Sequence, residues 1–241
     1  MAKRVEYPIL SRRKSTPSLL GQNTKVDEKL LSDVVHKIKN GLGAIGGFAA
    51  LLERDIKTDD PRRRLVQRIQ DGVEKVNNIV VDLMTLARTV EPSFEEIRLS
   101  SLIKKAWENT LGEEDGRAPG FPFHFDSLDN QSKLIADSQM IRKMVFHVIQ
   151  FIDVMGGRIE SIKINSRLKN KVKIEFIFID HVFDKNGFQD IFDLMNECEP
   201  VEARLSLAIV YKIVQIHRGK AFVSSLASNQ KVLTIQLPKG Y

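Results

Sequence analysis

Apolar residues recur along the chain first at helical and then at strand spacing. Thr24, with Asp27 three residues on, resembles a helix-starting capping box. After it Leu31, Val35, Ile38, Leu42, Ile45, Ala49, Leu52 and Ile56 follow at alternating steps of 4 and 3. Such a heptad predicts a long helix packed as in a coiled coil or bundle. It should end near Thr58, because Asp60 and Pro61 supply a cap and a first-position proline for a second helix running to about Thr89. On that helix Leu65, Ile69, Val73, Val76, Val80, Leu83 and Ala87 are expected to face the first. A single hairpin leaves apolar surface wet, so two chains pairing into a four-helix bundle, a homodimer, is the expected solution.

Beyond Glu91 and Pro92 the periods shorten and mix. Helices are predicted over Leu99 to Leu111, Ser138 to Met155 (after Asp137) and Glu202 to His217. Strands are predicted over Phe121 to Leu128, Arg158 to Asn165 and Val172 to Asp180, with a closing hairpin of Lys220 to Leu226 and Lys231 to Leu237. The polar and apolar alternation in Lys171 to Phe178 suits a sheet covered on one face. The fold class is therefore α+β, an N-terminal helical hairpin forming a dimeric four-helix bundle followed by a two-layer α/β sandwich. The expected division is a basic, disordered tail over 1–24, a hairpin over 25–92 and the sandwich over 93–241.

The 241 residues are 42% hydrophobic and 28% charged, enough apolar content for real cores, with a net charge of +6. Position changes the meaning of that charge. Residues 1–25 hold six cations (Lys3, Arg4, Arg12, Arg13, Lys14, Lys25) against Glu6, so +5 lies there and +1 in the other 216 residues. A nearly neutral body weakens the nucleic-acid reading that the total invites. No stretch approaches the roughly 18 to 20 apolar residues of a membrane span, and the first 25 residues lack the apolar centre of a secretory signal. A cytoplasmic location is expected, with no membrane partner. Cys198 is the single cysteine and reads as a small hydrophobe. His124, His147, His181 and His217 have no Cys, Asp or Glu at ligand spacing and read as structural, so no metal site is expected.

The candidate chemistry lies on the first helix. His36 follows the seam residue Val35 and points away from the interior, where a neutral imidazole is a usable nucleophile. Asn40, Gly43 and Gly47 follow at steps of 4, 3 and 4, on the same face. Gly41, Gly43, Gly46 and Gly47 each cost about 1 kcal/mol relative to alanine in a helix. A smooth surface on which another protein brings a reactive group to His36 would compensate that penalty, as would close helix packing inside the bundle.

The segment His36-Lys-Ile-Lys-Asn-Gly-Leu with AIGGFAALL after it resembles the phosphoacceptor box of dimeric sensor histidine kinases. IRKMVFHVIQFI falls where their asparagine box belongs, FIFID where a strand ends in the adenine-binding aspartate, and RLSLAIVYKIVQIHRGKAFVSS where the last glycine box runs into its helix. The resemblance covers roughly residues 27–238 and implies a degenerate kinase-type ATP-binding domain behind the hairpin. Lys37 stands where the family has the acidic base, and a protonated lysine cannot accept the imidazole proton. His147 and Phe151 replace the two box asparagines, and phenylalanine cannot ligate Mg²⁺. Asp180 survives from the first glycine box, but His181, Val182 and Phe183 replace its glycines. Glu202, Arg204 and Ser206 replace those of the last box, where bare backbone would wrap phosphates. Phe176, Phe178, Phe183, Phe188 and Phe192 are expected to fill the nucleotide cavity, and Trp107 to pack near the domain junction.

The expectation is a histidine phosphotransfer protein of a two-component phosphorelay. It would pass a phosphoryl group between receiver aspartates through His36, without ATP-dependent autokinase activity. Lys37 and Asn40 are the auxiliary residues, Gly43 and Gly47 the docking positions. No cofactor is expected on this chain, Mg²⁺ being supplied by the partner's receiver domain. Response regulators are the expected partners, with a hybrid histidine kinase a further candidate. The alternatives are a diverged sensor kinase or response-regulator phosphatase, and a non-catalytic scaffold that binds a kinase or regulator.

Overall fold

The computed structural model describes residues 20–111, 123–124, 133–179, 189–226 and 229–240. Most of the expected basic tail, most of the Phe121–Leu128 strand, and Asp180, His181, Val182, Phe183 and Phe188 lie outside the described residues, as does the side chain of His124. In chain order the elements are α1 (Leu20–Asp55), α2 (Arg63–Ala87), β1 (Glu95–Arg98), α3 (Leu99–Leu111), β2 (Phe123–His124), β3 (Lys133–Ala136), α4 (Ser138–Val154), β4 (Arg158–Asn165) and β5 (Lys171–Ile179). They continue with β6 (Gln189–Asp190), α5 (Ile191–Glu197), α6 (Val201–Ile216), β7 (Lys220–Ser225) and β8 (Gln230–Pro238).

The hairpin forms with shifted ends. Helix α1 already runs at Leu20, so Thr24 lies within it rather than capping it; Gly21, Gln22 and Asn23 do not bar helical dihedrals. It stops at Asp55, short of Thr58. Asp60 does cap the next turn, its Oδ1 accepting from the Arg62 amide at 2.8 Å, but a tight turn follows (Arg63 N to Asp60 O, 3.0 Å) and regular helix begins only at Arg63. The expected seam is also corrected. Val35 and Ala49 are buried, and Gly46 sits against Val73, where an added Cβ would lie 3.6 Å from Cγ1. Ile38, Ile45 and Leu52, however, are 40–53% exposed, and on α2 Val80 is buried while Leu65, Ile69, Val76 and Leu83 face outward. Within one chain only every second seam position packs on the neighbouring helix, because a helix meets its hairpin partner along one narrow stripe.

The second half is a sheet of six strands in the order β2-β4-β5-β8-β7-β6, all pairs antiparallel except β2 with β4, and a small β1-β3 ladder beside it. Inward positions of β5 (Val172, Ile174, Phe176, Phe178) and β8 (Leu233, Ile235, Leu237) form one core with α3, α4 and α6. Helix α4 ends in a glycine pair: Gly156 takes φ +72°, and at Gly157 a side chain would meet Ile152 Cγ2 at 2.9 Å. Trp107 and Cys198 are core residues, and Phe176 and Phe178 are fully enclosed. Phe192 departs from expectation: it is 45% exposed, tilted against Tyr211 with centroids 5.3 Å apart.

Asp137 ties the segment before β1 to α4 and α6. Its Oδ1 accepts from the amides of Gln139 (3.0 Å) and Met140 (2.9 Å), capping α4, while Oδ2 accepts from the Ser93 amide at 2.8 Å. The Asp137 amide donates to His217 Nε2 at 3.1 Å, and His217 Nδ1 donates to the Ile213 carbonyl at 2.8 Å. Both imidazole nitrogens are thus used in structure, and burial lowers the His217 pKa.

Candidate functional site

His36 stands exposed on α1, one residue after buried Val35. It opens onto a cleft of about 370 Å³ between the hairpin and the α4/α6 layer. Val81, Met84, Met140, Ile209, Ile213 and Ile216 give the cleft apolar walls, and Lys39, Arg88, Lys143 and Lys212 place four cations around it, with no carboxylate among the described lining residues. Lys39 is three residues from His36 and so lies on its face of the helix. Lys37, Asn40, Gly43 and Gly47 are all exposed and none lines the cleft. An added Cβ at Gly41, Gly43 or Gly47 would meet nothing within 4 Å, so that face is bare among the described residues.

The cleft keeps its shape because α2 is held onto the sandwich by polar contacts. Lys212 Nζ donates to three carbonyls at the end of α2, those of Thr85 (2.9 Å), Leu86 (2.8 Å) and Arg88 (2.6 Å). A cation at the negative end of a helix, bonded to its unpaired carbonyls, is favourable on both counts. Lys143 Nζ donates to Thr85 Oγ1, and its charge faces Asp82. Burial lowers the Lys143 pKa and raises that of Asp82, with each partner's charge opposing the shift.

Beneath this layer His147 is buried. Gln150 Oε1 accepts from His147 Nδ1 at 3.1 Å and from Ser206 Oγ at 3.0 Å, tying α4 to α6. Burial and the Lys143 charge push the His147 pKa down to about 4. The imidazole is therefore neutral at pH 7, and its 3.5 Å approach to Asp82 Oδ1 is too long for a hydrogen bond, so no ion pair forms there.

The positions at which a magnesium nucleotide would be held are occupied differently. The Phe151 ring is 2% exposed and part of the core, offering no metal donor. Ser206 is buried with its hydroxyl spent on Gln150, Arg204 donates to the Cys198 carbonyl (3.0 and 3.2 Å), and Glu202 brings a negative charge to the first turn of α6. Phe151 thus offers no ligand atom, and Ser206 and Arg204 spend their polar groups on neighbouring residues. Among the described residues no group of three His, Cys, Asp or Glu converges on a metal site. No described helix is long and apolar enough to cross a membrane.

Of the site, the sequence pointed to His36 and missed Lys39, Arg88, Lys143 and Lys212. Lys39 had a signal in its spacing; Arg88 is brought to the cleft by the pairing of α2 with α1, and Lys143 and Lys212 by the docking of the two halves.

Residues 27–91 match the family model of the His Kinase A (phospho-acceptor) domain. Over 97% of its length the chain is 23% identical to the signal transduction histidine-protein kinase AtoS of Escherichia coli K12, covering 39% of that protein. Over 91% it is 24% identical to the sensor histidine kinase ZraS of Escherichia coli O157:H7, covering 49%. The sensor protein kinase PilS of Pseudomonas aeruginosa is 31% identical over 77 residues, 32% of this chain and 14% of that protein. The chain thus spans between about two fifths and half the length of AtoS and ZraS. Among solved structures, full-length ShkA in complex with AMPPNP superposes with a TM-score of 0.65 at 16% identity, over 88% of this chain and 46% of that one. The histidine kinase ThkA in complex with the response regulator TrrA gives 0.58 at 19% identity, over 94% and 68%. The chain has the architecture of a two-component histidine kinase, a phospho-acceptor hairpin carrying an α/β sandwich of the kinase ATPase type.

Proposed function

We propose that this chain is a histidine phosphotransfer protein, in which His36 takes a phosphoryl group from the aspartate of one receiver domain and yields it to another. The observation that carries the reading is the pairing of an exposed His36 on a matched phospho-acceptor hairpin with a sandwich whose Phe151 is sealed in the core. In the first transfer an imidazole nitrogen of His36 attacks phosphorus, the P–N bond forms as the acyl-phosphate P–O bond breaks, and the electron pair leaves on the aspartate carboxylate. The ring proton goes to solvent, since the position after His36 holds Lys37 and no carboxylate. The second transfer reverses these steps. A receiver supplies its own Mg²⁺ and acidic residues, so this chain contributes a positioned nucleophile and a docking face. The bare face at Asn40, Gly43 and Gly47 suits that docking.

The outward apolar positions Ile38, Ile45, Leu52, Leu65, Ile69 and Leu83 support a homodimer in which two hairpins close a four-helix bundle. ThkA was solved with a response regulator, which supports a regulator as the partner here. The kinase reading is the competitor, and it needs a nucleotide at positions that Phe151, Ser206 and Glu202 now fill. The deciding experiment incubates wild type and His36→Ala with labelled ATP and, separately, with a phosphorylated receiver domain. Label reaching His36 from the receiver and not from ATP is the expected result; label from ATP alone identifies a kinase. Label on neither route, with receiver binding intact in His36→Ala, identifies a scaffold.

A further inference from the structure

We propose that the cleft beside His36 is the seat of the phosphoryl group once the histidine carries it, with Lys39 and Arg88 as its counter-ions. The inference rests on the phosphotransfer reading and adds to it a store: the sandwich acts as the wall of a pocket that shields phosphohistidine from water.

Charge, placement and anchoring carry the argument. The described lining has four cations and no carboxylate, and Lys212 and Lys143 offset the α2 carbonyls and Asp82 beside it, so the cleft favours a dianion. Two of those cations are already spoken for: the Lys212 ammonium is taken up by three carbonyls, and Lys143 by Thr85 and the facing Asp82. Lys39 and Arg88 are exposed and make no ion pair among the described residues, leaving both heads available to an incoming anion. They approach from different helices. Lys39 shares the helix face of His36, one turn on, while Arg88 stands at the end of α2, where Lys212 grips its carbonyl at 2.6 Å and fixes where its guanidinium starts. A planar guanidinium can meet two phosphoryl oxygens at once. Asp33, one turn before His36, does not line the cleft. The apolar walls from Met84, Met140 and Ile213 limit the water around a group held there.

The test phosphorylates the full chain at His36 with phosphoramidate, a small-molecule donor that needs no partner, and follows the loss of phosphohistidine and its ³¹P resonance. Lys39→Gln with Arg88→Gln together should shorten the phosphohistidine lifetime about fivefold and move the resonance, with each single variant between. Lys105→Gln on α3, which removes one charge as each single variant does but away from the cleft, should change neither. High salt should shorten the wild-type lifetime towards that of the double variant. An unchanged lifetime and resonance in the double variant overturns the seat alone and leaves the phosphotransfer reading standing. Failure of His36 to take phosphoryl from phosphoramidate and from a phosphorylated receiver overturns both.

Discussion

The hairpin and the sandwich are built from similar proportions of apolar residues and finish their cores to different degrees. In the sandwich, α3, α4 and α6 cover one sheet face and Phe176, Ile174, Leu207 and Leu233 are sealed within a single chain. In the hairpin, Val35, Ala49, Val66 and Val80 are buried, while Ile45, Phe48, Leu52, Leu65 and Ile69 are 44–67% exposed. One half buries its apolar side chains within a single chain, and the other leaves a stripe of them exposed. The hairpin presents His36 beside an outward apolar stripe, and the sandwich packs Phe151 into its core.

Four changes test this contrast, the largest first. Ile45→Asp with Ile69→Asp puts charges on the outward stripe and should abolish the dimer, a loss of several kcal/mol of association seen as monomeric mass in light scattering, with the sandwich still folded. Phe151→Ala should do the reverse. It costs about 3–5 kcal/mol of sandwich stability in urea unfolding, by opening a cavity in α4, and leaves the hairpin's self-association intact.

The third is pH dependence. His147 has a folded pKa of about 4 against an ordinary 6.5, so the unfolded state binds more protons between those values. Its stabilising contribution is therefore full above pH 6.5 and is lost as pH falls through 4, by about 3 kcal/mol in all. His217, also lowered, acts in the same direction, while Asp82, raised by burial, opposes it at the acid end. His147→Leu should flatten the slope of stability between pH 7 and 5 in denaturation curves. The smallest effect is expected from Lys212→Met, which frees three carbonyls of α2: about 2 kcal/mol of stability, with faster hydrogen exchange confined to the end of α2.

How much of this was legible differs between the halves for physical reasons. Helix α4 announced itself through Asp137, whose side chain does cap it, and β5 through its alternation. β1 and β3, four residues each, and α5, seven residues, are too short to leave a period and were missed. The heptad in α1 is legible as a repeat, but a sequence period does not say which helix each knob meets, so Leu65, Ile69, Val76 and Leu83 of α2, expected to face α1, turn outward instead. His36 could be picked out by its position beside the seam. Arg88, Lys143 and Lys212 could not, since they lie 52 to 176 residues away in sequence: Arg88 reaches the cleft through the pairing of α1 with α2, the two lysines through the docking of α2 on the sandwich.

The central claim is that phosphoryl passes through His36 and that this chain takes none from ATP. The direct measurement mixes a phosphorylated receiver domain with a second, unphosphorylated one and follows label between them. The predicted result is transfer that requires this chain, proceeds without ATP and disappears in His36→Ala. Transfer that survives His36→Ala, or label that reaches His36 only when ATP is supplied, would contradict it.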